Sequence, residues 1–212
     1  MDYYKNISET LINGAIDSIT DTVKAAIDSG LSAENIMEKG LLAGMDIVGQ
    51  RFKADEMFIP EVLRCAKCMN DATEILKPFF KEGNSALSKG KIVIGTVQGD
   101  LHDIGKNIVA MMFEASGYEV IDIGIDQPPE NFIEAIQTHQ PQIVGISALL
   151  TTTIPKMTKT VAAIKEAGLH PATKIIVGGA PVTEEFAIDI GADAYGKDGA
   201  SAVDRVAYLL AQ

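Results

Sequence analysis

The stretch KIVIGTVQGDLHDIGKNIVAMMFEA, residues 91–115, decides the fold. Its first part, Lys91 to Val97, is apolar and β-branched over the length of a buried strand, and its last part, Gly105 to Ala115, repeats apolar residues at helical spacing. The segment between them, Gly99-Asp100-Leu101-His102-Asp103-Ile104-Gly105, therefore reads as a βα loop. In open parallel sheets ligands bind beyond the carboxyl ends of the strands, where such loops lie. A histidine there can offer one ring nitrogen to a metal while the other donates to a carboxylate, which fixes the tautomer and raises ligand basicity. Asp100 is the nearby carboxylate, and Gly105 leaves room for a bulky group at the start of the helix. Taken alone, DxHxxG fits a plain surface loop as well as a ligand site.

Downstream the same rhythm repeats. Strands are predicted at Glu119–Ile125, Ile143–Ala148, Lys174–Val177 and Ala192–Tyr195, each followed by a helical segment. Parallel strands need crossovers, so five βα units predict an α/β domain over residues 91–212 with a five-stranded, doubly wound, flavodoxin-like parallel sheet. Upstream no strand is evident. Apolar residues recur every three to four positions in Leu41, Met45, Val48 and Phe52, and again in Ile59, Val62, Ala66, Met69 and Leu76. Asn13-Gly14 and Ser29-Gly30 punctuate the earlier part, and Pro60 sits where a helix running to about Phe80 would begin. Residues 1–82 thus read as a four-helix bundle. The small, polar, glycine-bearing run 83–90 reads as a linker to the second domain.

Composition narrows the function. The chain has 212 residues, is 47% hydrophobic and carries a formal charge of −11, a field that repels phosphate backbones and anionic lipid. Nucleic acid and membranes are therefore not expected partners. The first twenty residues lack an apolar leader-like core and no apolar run approaches the length of a membrane span, so a cytoplasmic protein is expected. Cys65 and Cys68 have C-x-x-C spacing, but they lie inside a helical pattern with no second pair, and are expected to be small buried or half-buried helix residues. His139 and His170, in segments that read as loops near prolines, are expected to be solvated.

Two further clusters close later strands: Ser147-Ala148-Leu149-Leu150-Thr151-Thr152-Thr153 after the third, and Val177-Gly178-Gly179-Ala180-Pro181 after the fourth. Gly105 and Ser147 are separated by 41 residues, Leu149 and Gly178 by 28, and all three clusters must meet on one edge of the sheet. DxHxxG, then SxL, then GG, in this order, resembles the signature of cobalamin-binding domains that hold the corrinoid base-off with a protein histidine on cobalt. The resemblance extends to the helical half, where Gly44-Met45-Asp46-Ile47-Val48-Gly49 and Met57-Phe58-Ile59-Pro60-Glu61-Val62 look like the cap domain of methionine synthase and of methyltransferase corrinoid proteins.

That resemblance implies roles by position. His102 would be the lower axial ligand of cobalt, with Asp100 on its other nitrogen and Thr153, where methionine synthase has serine, completing a hydroxyl relay. Gly99, Leu101, Asp103, Ile104 and Gly105 would frame the ligand. Ser147, Leu149 and Thr151 would meet the displaced nucleotide tail, and Val177, Gly178 and Gly179 would line its slot, where a side chain would collide with it. Small residues at 147, 148, 178, 179 and 180 would keep that groove open. Met57 and Phe58 would form an apolar lid over the upper face, with the linker as a hinge for the cap.

The implied function is a corrinoid methyl carrier. A substrate-specific methyltransferase would load the cobalt, a second methyltransferase would pass the methyl group to tetrahydrofolate or a thiol acceptor, and a reductive activator would rescue oxidised cobalt. The chain lacks the length for a substrate-binding barrel besides these two domains, so it would be a subunit of a methyltransferase system rather than a complete enzyme. Two other classes share parts of the pattern: cobalamin-dependent regulators, which usually add a DNA-binding segment not visible here, and small mutase subunits, which generally lack the helical cap. A phosphoacceptor receiver shares the fold but requires acids that the corresponding strand ends do not supply.

Overall fold

The computed structural model describes residues 2–80 and 88–212, so most of the predicted linker, residues 83–87, lies outside the described residues. The chain divides into two compact units, Met1–Lys89 with Glu114–Gly117, and Gly90–Phe113 with Tyr118–Gln212.

The first unit is helical: α1 (Tyr3–Ile12), α2 (Ile16–Asp28), α3 (Ala33–Asn35), a π-helical stretch Ile36–Leu42 that continues into α4 (Ala43–Lys53), then α5 (Ile59–Leu76) and a 3₁₀ turn Lys77–Phe79. The sequence explains the boundaries. Asp2 accepts a hydrogen bond from the Lys5 N–H and caps α1. Pro60 occupies the first turn of α5, where its missing N–H is not needed, and the Glu61 carboxylate reaches back to the Phe58 N–H at 2.8 Å. Ile7, Leu11, Ile19, Val23, Leu41, Val48, Cys68, Met69 and Leu76 form the buried stripe of these helices. At Gly40 an added Cβ would stand 3.0 Å from the Ile7 side chain, so the missing side chain lets α1 lie close against the π-helical stretch. Cys65 and Cys68 are buried, unbridged residues of α5, as expected.

The second unit alternates strand and helix: β1 (Lys91–Thr96), α6 (Ile104–Ala115), β2 (Glu119–Asp122), α7 (Pro129–His139), β3 (Ile143–Ser147), α8 (Ile154–Glu166), β4 (Lys174–Gly178), α9 (Glu184–Asp189), β5 (Ala194–Gly196) and α10 (Gly199–Leu210). The five strands form one parallel sheet in the order β2-β1-β3-β4-β5. Successive β residues point to opposite faces, and both faces are covered. Val93, Val144, Ile146, Ile175 and Val177 pack with Phe132, Ile136, Met157, Val161 and Ile164 on one side. Ile92, Ile94, Ile143 and Ile176 pack with Phe113, Tyr118 and Val206 on the other. The chain leaves β1 outward for β2 and returns on the far side for β3. The loops after β1 and β3 therefore flank the point where the winding reverses, the crevice in which this architecture holds ligands.

Three expectations need correction. β2 ends at Asp122 rather than Ile125, because Gly124 turns with φ +88° although the apolar residues Ile123 and Ile125 continue past it. His139 is the last residue of α7, not part of a loop. His170 is half-buried, its Nε2 lying 3.1 and 3.2 Å from the carboxylate oxygens of Asp193, instead of standing free in solvent.

Candidate corrinoid site

The loop after β1 folds back on its own carboxylate. Asp100 has a side chain with 0% exposure, and its Oδ1 accepts hydrogen bonds from the His102 backbone N–H at 3.1 Å and from His102 Nδ1 at 2.7 Å. The two-residue spacing permits this because the side chain of an Asp readily bonds the backbone two positions on. Oδ2 faces the next loop: it accepts from Leu149 N–H at 2.7 Å, Leu150 N–H at 3.3 Å and the Thr153 hydroxyl at 2.7 Å. The Thr153 hydroxyl also lies 2.9 Å from the Leu150 carbonyl, so its single proton is shared between two acceptors. His102, Asp100 and Thr153 are thus one connected chain drawn from two adjacent loops.

Ionisation follows from that geometry. Burial by itself pushes the Asp100 carboxyl up, but the hydrogen bonds from the Leu149 N–H, the Thr153 hydroxyl and the His102 ring and backbone outweigh it and hold the group well below the usual carboxylate range. Asp100 is therefore an anion, and Nδ1 of His102 must be the protonated ring nitrogen. Nε2 is left as the nitrogen with a lone pair. Half of the His102 side chain, 49%, is exposed, and Nε2 has no hydrogen-bond partner among the described residues.

Leu101, Ile104, Leu149 and Leu150 are all large hydrophobic residues left exposed on the loops that bear His102 and receive Asp100. At Gly105 an added Cβ would meet nothing within 4 Å, so the start of α6 faces open space. No group of three or more His, Cys, Asp or Glu side chains among the described residues could hold a bare metal ion. A single histidine on loops that expose large apolar side chains suits instead a metal whose other ligands come from a large macrocycle, and the residues present fit such a group.

Ser147 ends β3 beside Gly178 in the sheet register, half-buried and with its hydroxyl unbonded among the described residues; Thr151 is exposed. The glycines carry a different message from the one expected. A Cβ on Gly179, whose φ is +126°, would overlap the carbonyl oxygen of Ala148, and one on Gly178 would come 2.8 Å from the carbonyl oxygen of Gly196. What excludes side chains at both positions is the protein's own backbone. Of the two residues expected to form a lid, Met57 is only 7% exposed and has little surface to offer, whereas Phe58 is 69% exposed.

Several residues that hold this loop were not singled out from the sequence. Thr96 donates to the His102 carbonyl at 3.1 Å. Lys106, with 2% of its side chain exposed, pairs with Asp122 at the end of β2 and donates to Asn107 Oδ1 at 2.7 Å. The Asp126 carboxylate accepts from Gly99 N–H at 2.6 Å. Helical phase was the available signal for Lys106: it precedes the buried Ala110 and Phe113 by four and seven positions, which puts it on the inward face of α6 and calls for an acid partner. Asp126, in a polar turn, carries no such signal.

Thr153→Val keeps the shape of the relay hydroxyl and removes its proton. Asp100 retains its backbone donors, so the variant is expected to lose about 1–2 kcal/mol. In urea unfolding this appears as a lower midpoint at unchanged slope.

Comparison with known proteins agrees with the geometry. Residues 90–206 match the family described as B12 binding domain, and residues 3–77 match a second family of the same description. Trimethylamine corrinoid protein 1 of Methanosarcina acetivorans is 40% identical over 211 residues, covering 95% of this chain and 98% of that protein. The dimethylamine corrinoid protein of Methanosarcina barkeri is 41% identical over 210 residues, 98% of this chain and 99% of its own. Among solved structures, a cobalamin-binding protein from Desulfitobacterium hafniense DCB-2 superposes with a TM-score of 0.80 at 33% identity, covering 99% of this chain and 98% of that one. A chain of the methanol:cobalamin methyltransferase complex MtaBC from Methanosarcina barkeri gives a TM-score of 0.88 at 29% identity over 99% of this chain and 79% of its own. Helical unit, parallel sheet and exposed histidine loop thus occur together in a chain that belongs to the cobalamin-binding corrinoid proteins of methyltransferase systems.

Proposed function

We propose that this protein is the methyl carrier of a multicomponent methyltransferase system, receiving a methyl group from one substrate-specific methyltransferase and giving it up to a second that acts on tetrahydrofolate or a thiol. The observation that carries the reading is His102, whose Nδ1 is fixed by the buried Asp100 and whose side chain is half exposed on a loop that also exposes Leu101, with Ile104 exposed at the start of α6 and Leu149 and Leu150 exposed after β3. Relatives named for trimethylamine and dimethylamine support small methylated compounds as donors, with the choice among them residing in the partner. A separate reductive activator completes the proposed system.

His102 would hold a corrinoid base-off through Nε2, with Gly105 giving it room and Ser147, Leu149, Thr151 and Val177–Gly179 bordering the nucleotide arm. The bound corrinoid would supply the cobalt that carries the methyl group. The chain's own part is acid–base and steric. Asp100 keeps the Nδ1 proton in place, so Nε2 would be the ligating nitrogen. Leu149 N–H, Leu150 N–H and Thr153 hold the Asp100 anion from the β3 side.

The test is an absorption spectrum of purified protein with added cobalamin, comparing the intact chain with His102→Ala. The intact chain is expected to give the base-off, histidine-on spectrum and the variant to lose it. Identical spectra would overturn the assignment.

A further inference from the structure

The segment after β2 holds the His102 loop by a reciprocal clamp. Asp126 Oδ1 accepts the Gly99 N–H at 2.6 Å, and the Asp126 N–H donates to the Asp100 carbonyl at 3.1 Å. One residue thereby grips both sides of the Gly99–Asp100 peptide. To do so Asp126 adopts φ +55°, a left-handed conformation uncommon for residues with a side chain, opposite Gly99 at φ +83°. Such a conformation persists where surrounding contacts over-determine it.

Those contacts are present. The Gln127 N–H bonds the Thr96 carbonyl at 2.9 Å, and Val97 and Gln127 form a parallel bridge, so the segment runs on beside β1 beyond the end of β2. At its start, Asp122 accepts the Gly124 N–H at 2.8 Å and pairs with the buried Lys106 of α6. The segment 122–127 is therefore tied to the histidine loop on both sides, at Gly99–Asp100 before His102 and at Lys106 after it.

We propose that Asp126 is a positioning residue for the axial ligand, acting through the Gly99–Asp100 backbone on the carboxylate that orients His102. This rests on the carrier reading for the identity of the ligand that His102 binds. The physical reason is precision: the Asp100 carboxylate serves donors from two loops, and a small shift of its backbone misaligns Nδ1 and swings Nε2 off its line. Positioning groups act through errors of this size.

Two variants separate the carboxylate from the backbone conformation. Asp126→Gly keeps access to positive φ and removes the acceptor; Asp126→Asn keeps both an acceptor oxygen and tolerance of that conformation. In the protein without corrinoid, amide exchange at Gly99 is expected to accelerate about tenfold in Asp126→Gly and to stay near the wild-type rate in Asp126→Asn. With hydroxocobalamin added at neutral pH, the ratio of histidine-on to histidine-off spectrum is expected to fall about threefold to tenfold in Asp126→Gly and to be restored in Asp126→Asn. An unchanged ratio in Asp126→Gly overturns the proposal, as does an Asp126→Asn protein no better than Asp126→Gly. If wild type and His102→Ala give the same spectrum, the carrier reading has failed, and the Gly99 exchange rates then decide the clamp on their own.

Discussion

Gly179→Ala is expected to remove roughly 4 kcal/mol or more, a loss comparable with the whole stability of many domains, and to leave little folded protein. A methyl group at this position would overlap the Ala148 carbonyl oxygen and lie 2.9 Å from its carbon, and both obstacles are backbone. Neither can rotate away, because Ala148 is fully buried and its N–H is bonded to the Gly178 carbonyl at 3.2 Å. The φ of +126° adds strain that only glycine avoids. Two sister substitutions give the scale. Gly178→Ala meets one carbonyl, that of Gly196 at 2.8 Å in the paired strand β5, and should lose about 1–3 kcal/mol as β5 shifts outward. Gly105→Ala meets nothing, and replacing a glycine in the first turn of α6 should leave stability unchanged or raise it by up to about 1 kcal/mol. Urea midpoints of the three variants are expected in the order 105, 178, 179 from most to least stable. A Gly179→Ala protein that unfolds with wild-type character would refute the packing argument.

This ordering also shows how far the sequence could be read. The alternation of apolar strand and amphipathic helix from Lys91 onward announced the parallel sheet, because each strand end is followed by its own crossover. The convergence of His102, Ser147 and Gly178 on one sheet edge then follows from topology alone. The reason for the glycines did not follow. GG at a strand end marks a place where something approaches closely, and only coordinates reveal that it is the backbone of Ala148 and Gly196. Ile123 and Ile125 extend the apolar pattern past Asp122, and the Ile123 N–H still bonds the Ile94 carbonyl at 2.9 Å, but Gly124 at φ +88° breaks the extended backbone and ends the strand early. The π-helical stretch Ile36–Leu42 had no periodicity signal distinct from an α-helix, since seven residues are too few to separate the two. Asp126 escaped for the opposite reason: its importance lies in backbone bonds to a loop 27 positions away, which no local pattern records.

Asp100→Asn is expected to lose about 2–4 kcal/mol near neutral pH and to flatten the acid limb of the stability curve. Five donors converge on the two oxygens of this buried carboxylate, two from His102 on Oδ1 and three from Leu149, Leu150 and Thr153 on Oδ2. An amide has only one oxygen. If its NH₂ takes the Oδ2 position the Leu149 and Leu150 N–H groups lose their acceptor, and if it takes the Oδ1 position the His102 N–H does, so backbone donors are left unpaired away from water. The Thr153 hydroxyl can fall back on the Leu150 carbonyl, and the His102 ring can turn outward, which limits the loss. The pH dependence has a definite sign. In the folded protein the Asp100 carboxyl ionises well below its ordinary value of 3.8, so the unfolded chain binds its proton first as the solution is acidified. Its contribution is therefore fully present above the ordinary carboxylate range and is lost progressively as pH falls through and below that range. Asp100→Asn has no proton to take up at this position, so the difference between wild type and variant should shrink as pH falls from about 5 to 2. Urea midpoints measured for both proteins across that span test the claim, and a difference that grows on acidification would show that Asp100 is held as the neutral acid.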